Sequence, residues 1–493
     1  MTMRSQALTL VAIFLLLLTS DPAAAQHTSG PWSLEECINY AINNNADVRA
    51  SQLDLESSKA AQVQAKASLL PNSQLGANHF YNFGRSIDPF TNQYVEAQIQ
   101  ANDFNLNSSL VLFNGLQKQN VIRQNNLSVK ANQEFVEQAN NTVSLNIALA
   151  YLSVLQNEEL LEIANRQVTT SRSQSARAEK LVAAGAMASY TLADLQVQAG
   201  NDELELVNAQ NNLITAKLNL MQLMNLPATT DFQVQKLSVN AIITSGYDKS
   251  DNEIYDIAEK TQPNILGADF RVKSTARALQ AAKGTLLPSI SMFGYIGSAY
   301  SSAAQTSRFV ADGTGYTTRE VTSATDYVLI NGNKQPIIRT VNEPNGSLQS
   351  FYYFDQLQFN LRKSIGLNLT IPILNGWQAR NRISTAVINK KRAEFIASTE
   401  RIKLRQNIEQ AFANLTSSQA RFQTSTKQAE ATEIAYQAAQ KRFENGSTHF
   451  VDLNLAKTNY DRAQSNLVRV KYEFVFRKKI LDFYQNKPIT LQE

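Results

Sequence analysis

The sequence predicts a mainly α-helical chain with a transmembrane β part: long helical hairpins present twice, and four β-strands set between them. Three observations predict it. First, 69 residues pass without Gly or Pro between Gly115 and Gly185, and another 69 between Gly376 and Gly446. About 8 breakers would be expected across both spans at the chain's own usage, so each span is one continuous helix. Second, the two spans are copies. From Phe113-Asn114-Gly115 and Leu374-Asn375-Gly376 the register holds at an offset of 261 without a gap to Pro227 and Pro488. An upstream register at offset 217 pairs Glu36 with Glu253, Ala41 with Ala258, and Leu69-Leu70-Pro71 with Leu286-Leu287-Pro288. Third, the segments between the helices lose the helical period and alternate apolar with polar residues, as half-covered strands do.

Composition narrows the function classes. The 493 residues include only 18 Gly and 11 Pro, about half the usual share. The charged fraction is 18%, low for a soluble domain, and Asn, Gln, Ser and Thr supply much of the polar surface. A net charge of +4 is too diffuse to propose nucleic acid as a partner. One cysteine, Cys37, excludes an intrachain disulfide and reads as a small buried apolar residue. Three scattered histidines (His27, His79, His449) form no metal or catalytic pattern, and no P-loop, nucleophile elbow or zinc-binding motif occurs. The expectation is a protein that is not an enzyme and carries no cofactor.

The elements follow in order. Residues 1–25 read as a cleaved signal peptide: Arg4, an apolar run from Ala7 to Leu18, and Ala23, Ala24 and Ala25 before Gln26. Residues 26–71 are read as one N-terminal helix, 72–113 as the first strand pair, and 114–227 as the first long hairpin, turning at Gly185. Its seam has heptad spacing: Ile147, Val154, Leu161 and Val168, interleaved with Val136, Val143, Ala150 and Ala164. Residues 228–251 form a linker, 252–288 the first helix of the second copy, and 289–375 the second strand pair. The second copy carries 44 extra residues there, read as a long polar loop over about 302–356. A hairpin over 376–488 repeats the first, with seam residues Leu404, Ile408, Ala411, Leu415 and Phe422, and 489–493 form a tail. The return helices, roughly Ser189 to Leu226 and Phe450 to Asn486, are expected to stop at Pro227 and Pro488.

The strands carry the functional signal. In Ser364 to Ile373, the residues Ile365, Leu367, Leu369, Ile371 and Ile373 alternate with polar or small ones, and Phe104, Leu106, Leu110 and Leu112 do so in the first copy. Aromatics gather around them, as in the girdles of outer-membrane barrels. A small soluble sheet with one buried face is the competing reading. Four strands cannot close a barrel, and open edges are forbidden in lipid, so a membrane role requires several chains.

In order and duplication, these segments resemble the TolC family of outer-membrane efflux proteins. The most recognisable residues are the paired Leu-Leu-Pro ends, Phe113-Asn114-Gly115, Leu374-Asn375-Gly376, and Lys441-Arg442-Phe443-Glu444-Asn445-Gly446 with Asp452-Leu453 behind it. The resemblance implies a homotrimer in outer-membrane lipid, with a 12-stranded β-barrel and an α-helical tunnel of ~100 Å extending into the periplasm. It further implies a channel of a tripartite efflux or type I secretion system, completed by a periplasmic adaptor (membrane fusion protein) and an inner-membrane pump of RND or ABC type. The tip turns Gly185 and Gly446, with Lys180, Lys441 and Phe443, would be the docking region. Acidic residues expected as rings at the mouth map onto Asp194 and Asp452, which would equally serve as complements to a helix dipole. The family's basic and aromatic mouth-locking slots hold Phe443 and Thr448 here. A periplasmic coiled-coil adaptor or scaffold is the alternative, but it gives no reason for two alternating strand pairs.

Overall fold

The computed structural model describes residues 30–87, 94–96, 98–228, 232–236, 249–304 and 306–487. The predicted signal peptide, most of the 228–251 linker, Pro488 and the 489–493 tail lie outside them. In chain order the elements are α1 (Leu34–Asn44), α2 (Ala46–Ala67), β1 (Asn72–Asn82), β2 (Arg85–Ile87), β3 (Tyr94–Glu96), β4 (Ile99–Asn114), α3 (Gln117–Ala183) and α4 (Ser189–Leu223). The second copy follows as α5 (Asp251–Thr261), α6 (Pro263–Gly284), β5 (Ser289–Ser301), β6 (Ser307–Ile330), β7 (Asn333–Ser350), α7 (Tyr353–Phe359), β8 (Arg362–Thr370), α8 (Gln378–Glu444) and α9 (Phe450–Tyr484). No described helix is long and apolar enough to cross a membrane.

The long helical hairpins of the two copies match position for position. Helices α3 and α8 both have 67 residues and α4 and α9 both have 35, each pair at the offset of 261. The left-handed backbone positions repeat as well: Gly115-Leu116, Gly185 and Asn225 in the first copy, and Gly376-Trp377, Gly446 and Asn486 in the second. Two expectations are corrected. The segment read as one N-terminal helix is broken at Asn45, and its counterpart at Gln262; both residues adopt extended backbone. Pro263 explains the second break, because the residue before a proline is pushed out of the helical region. In the first copy Asn45 does the same by capping α2, its Oδ1 accepting from the backbone N–H of Asp47 at 2.9 Å. The return helices also end before their prolines. Asn225 and Asn486 take the left-handed conformation, and Leu226 N–H bonds back to the Met221 carbonyl at 2.8 Å, a Schellman closure.

The chain divides into two compact units. One comprises Met1–Ser58, Ser128–Val272 and Arg392–Glu493 and is helical among its described residues. Its two larger cores are again copies: Cys37, Ala41 and Val48 with Val143, Ile147 and Val154, and Ile254, Ala258 and Ile265 with Leu404, Ile408 and Leu415. The predicted seam thus lies inside. Cys37 occupies the place that Ile254 fills in the second copy, which is why a thiol is there as an apolar filler; burial, with Glu36 beside it, pushes it up to about 12. Ser33 and Ser250 start the two copies with the same capping box, closed by Glu36 and Glu253.

The other unit, Lys59–Leu127 and Lys273–Lys391, holds the sheets. A four-stranded antiparallel sheet has the order β1-β4-β5-β8, leaving β1 and β8 as its edges. Its register gathers the alternating apolar residues on one face. Leu75 pairs with Leu106 and Leu106 with Ile296, while Leu110 pairs with Met292 and Met292 with Leu367. On β8 this face is open: Ile365 is 78% and Leu367 68% exposed. The opposite face is mostly polar, with Asn105 donating to Asp103 at 2.8 Å and Asn107 to Asn105 at 2.8 Å, and on it Phe293 and Tyr295 lie over Gly366 and Gly297. Strand β8 ends at Thr370, so Ile371 and Ile373 lie beyond it. The expected polar loop at 302–356 is instead a paired ribbon of β6 and β7 followed by the short helix α7. Asn331-Gly332 turns the ribbon, both residues at positive φ, which is the two-residue turn that matches strand twist.

Candidate functional site

The two tips are built alike, and their geometry follows from the left-handed glycine. Helix α3 closes on Gly185 (φ +72°), whose N–H bonds to the Val182 carbonyl at 2.9 Å while Ala186 N–H bonds to Leu181 at 2.8 Å. Helix α8 closes on Gly446 (φ +71°) through Gly446 to Phe443 at 3.0 Å and Ser447 to Arg442 at 2.9 Å. A Cβ at either glycine would meet nothing within 4 Å, so the requirement for glycine is torsional. Lys180 and Lys441 lie exposed in the last turns, where an ammonium complements the carbonyl end of the helix.

Phe443 behaves as a packing residue. Its ring meets Phe450 edge-on with centroids 6.2 Å apart, against a small core of Ala178, Leu195 and Phe450. A cavity of about 100 Å³ opens beside it, lined by Ala178, Leu181, Met187, Leu195 and Leu453 and rimmed by Arg177 and Glu444, 3.9 Å apart. The two carboxylates expected at a mouth, Asp194 and Asp452, are not equivalent. Asp452 lies in the first turn of α9, where it accepts from the Thr448 hydroxyl at 2.7 Å, so it suits the dipole of that helix. Asp194 is exposed and sits beyond the first turn of α4, where a dipole role does not apply.

The structure adds a cluster that the sequence reading did not find. Lys457 on α9 is 4% exposed in its side chain and donates to Asp202 of α4 at 2.9 Å and to Asp461, one turn along α9, at 2.7 Å. Gln198 donates to the second Asp202 oxygen at 2.8 Å. Burial opposes the Lys457 charge, but the two carboxylates outweigh it and hold the ammonium above its usual range. Burial lifts the Asp461 carboxyl above its usual range, although Lys457 pulls the other way. Lys457 and Asp461 in sequence are an ordinary i,i+4 surface pair. What distinguishes them is Asp202, 255 residues away, and no local signal points to it.

Among the described residues no group of His, Cys, Asp or Glu is arranged to hold a metal ion. Several solved structures share this fold. A structure of CusC, reported for the conformational changes accompanying folding and transmembrane channel formation, matches with TM-score 0.72 at 14% identity, over 94% of this chain and 96% of that one. The CmeC outer membrane channel of Campylobacter jejuni matches with TM-score 0.70 at 16% identity, covering 93% and 87%. The outer membrane protein VceC of Vibrio cholerae matches with TM-score 0.69 at 15% identity, covering 92% and 94%. No curated protein sequence matches significantly. The family model described as outer membrane efflux protein matches residues 37–226 and 361–477, more than half of the chain. With the duplicated hairpins and the four-stranded sheet, that match places the chain in the outer membrane efflux protein family.

Proposed function

We propose that this chain is the outer-membrane channel of a tripartite efflux or type I secretion system, working as a homotrimer with a periplasmic adaptor and an inner-membrane pump. The observation that carries this reading is the β1-β4-β5-β8 sheet: an open apolar face, a polar face, and two unpaired edges. An edge in hydrocarbon costs several kcal/mol for each unpaired backbone group, so the sheet requires further copies to close around a polar lumen. Three copies supply twelve strands, with the polar face of Asn105, Asn107 and Asp103 turned to water. The same threefold arrangement sets the long hairpins side by side as a tunnel lined by neutral amides and hydroxyls, a wetted path that holds no solute tightly.

In this reading the tips are the working ends. Gly185 and Gly446 shape them, and Lys180, Lys441 and the Phe443 cluster face the adaptor. Repeated three times, Asp194 and Asp452 form acidic rings that favour cations at the mouth. The Lys457 cluster ties the two return helices of each copy together, taking the place of the mouth lock that Phe443 and Thr448 do not provide.

The test is fractionation followed by conductance. The protein should appear in outer membranes as a trimer stable in mild detergent, conduct ions in planar bilayers, and co-purify with an adaptor. A monomer in the soluble periplasm would overturn the reading and leave a coiled-coil scaffold in its place.

A further inference from the structure

We infer that the β6–β7 ribbon is an intersubunit clamp: its aromatic face packs against the ribbons of other copies of this chain and holds the assembly together beyond the barrel. The inference rests on the channel reading for the presence of those copies. The ribbon is a two-stranded sheet of 24 and 18 residues, paired with no third strand and exposed along nearly its whole length. A two-stranded ribbon alone is marginal in water, so one this long needs a cover.

Its register shows which side is covered. Residues paired across an antiparallel ladder share a face, and the pairs Phe309–Leu348, Tyr316–Pro344, Thr322–Ile338, Tyr327–Pro336 and Leu329–Lys334 all fall on one face. On β6, simple alternation would turn Tyr316 and Tyr327 to the opposite side from Phe309 and Thr322 respectively. The two register shifts, between Ala311 and Tyr316 and between Thr322 and Tyr327, bring each tyrosine back. The result is one face that holds all the ribbon's exposed aromatics, Phe309, Tyr316 and Tyr327, with Leu329, Ile338 and Leu348, and another where Arg308, Arg319, Arg339 and Glu343 are mixed with the smaller aliphatics Val328, Ile330 and Val341. An apolar stripe of this extent on one face is a contact surface.

Three observations choose a second copy as the occupant. Lipid does not fit: a membrane strand needs about 9–11 residues, far fewer than 24, and the aromatic face also carries Glu320, Lys334 and Asn342. The base of the ribbon is fixed on the sheet. Phe351 N–H bonds to Thr306 at 2.8 Å, Arg308 lies 3.6 Å over the Phe359 ring, Asn360 donates to the Ala299 carbonyl at 2.8 Å, and Gln356 accepts from Ser301 N–H at 3.1 Å. The ribbon also connects β5 to the edge strand β8, on whose free side a neighbouring copy must add its own strand. Each copy therefore carries a ribbon at the same end of the barrel and next to a subunit boundary. Aromatic residues such as Phe309, Tyr316 and Tyr327 are enriched at protein interfaces.

The test uses the full chain, in which Cys37 is buried and does not compete for labelling. Leu329→Cys and Val328→Cys place a thiol on the aromatic face and on the opposite face, and a short bis-maleimide reports proximity between copies. Leu329→Cys should cross-link to dimers and trimers several-fold more than Val328→Cys, and Tyr316→Ser with Tyr327→Ser should lower the temperature at which the oligomer dissociates. Absent or equal cross-linking in a preparation that light scattering shows to be trimeric would overturn the clamp. So would a Leu329→Cys thiol shielded in whole cells yet open in the purified trimer, which would assign the face to another occupant. A monomeric preparation would instead overturn the channel reading.

Discussion

Replacing Lys457 by methionine probes the buried cluster most directly, because the change keeps the volume and removes the charge. Asp202 and Asp461 would then face each other with no cation between them, Asp202 being 8% exposed and Asp461 19%. Breaking a buried pair by deleting one partner costs about 3–5 kcal/mol, chiefly from the charge left uncompensated. The cluster lies near the free ends of two hairpins, so the loss should appear as local opening of α4 and α9 rather than as global unfolding. At about 1.4 kcal/mol per tenfold, protection against amide exchange in peptides from 189–223 and 450–484 should fall roughly 140- to 3,700-fold. Peptides from the four-stranded sheet should keep theirs. Adding Asp202→Asn and Asp461→Asn to Lys457→Met removes every charge and should restore protection to within about tenfold. A fall of less than tenfold in the single variant would refute the reasoning, since it would mean that water or a mobile side chain already compensates the two carboxylates.

Other perturbations separate further causes. Gly284→Ala should destabilise by about 1–3 kcal/mol in thermal unfolding, because its Cβ would sit 2.5 Å from the Gly115 carbonyl oxygen, which is backbone and cannot swing away. Helix propensity alone favours alanine by about 1 kcal/mol, and Ala67 holds the equivalent place in the first copy, so a stabilised variant would disprove the close approach. Gly446→Ala should cost about 1–2 kcal/mol of tip stability from the left-handed backbone, measured by the same exchange experiment; an unchanged tip would mean the turn relaxes. Asp194→Ala with Asp452→Ala should reduce cation preference in planar bilayers, and unchanged selectivity would leave Asp452 only its helix-terminal role. Cys37 should resist maleimide at pH 8 until the chain unfolds. The unfolded thiol ionises near 9.0 and the folded one only at about 12, so the folded state keeps a proton the unfolded state has lost, and this residue's contribution to stability falls as pH rises through that interval. Rapid labelling of the native protein would contradict its burial.

Most of the helical framework was legible in the sequence because long helices are governed by local rules. Breaker-free spans, heptad spacing and a turning glycine are each contained within one turn or one repeat, and the two copies reinforce each other position by position. The alternation of Ile365, Leu367 and Leu369 was legible for the same reason, since a strand's period is two. The break at Asn45 was not, because an asparagine that caps the next helix looks in sequence like any polar helix residue. The ribbon was missed although Asn331-Gly332 is a strong hairpin signal: its register shifts interrupt the alternation that would have marked two strands.

The sequence by itself determined the order and duplication of the long helical hairpins and of the alternating strands between them, because hydrogen bonding within helices and alternation within strands depend on residues that are near neighbours along the chain. Tertiary structure decided the rest. It placed Cys37 where the second copy has Ile254, brought Lys457 to Asp202 across 255 residues, and set Leu75, Leu106 and Ile296 in one row across three strands. Those outcomes depend on which faces meet, and a face is completed by residues too distant in sequence for any local pattern to record.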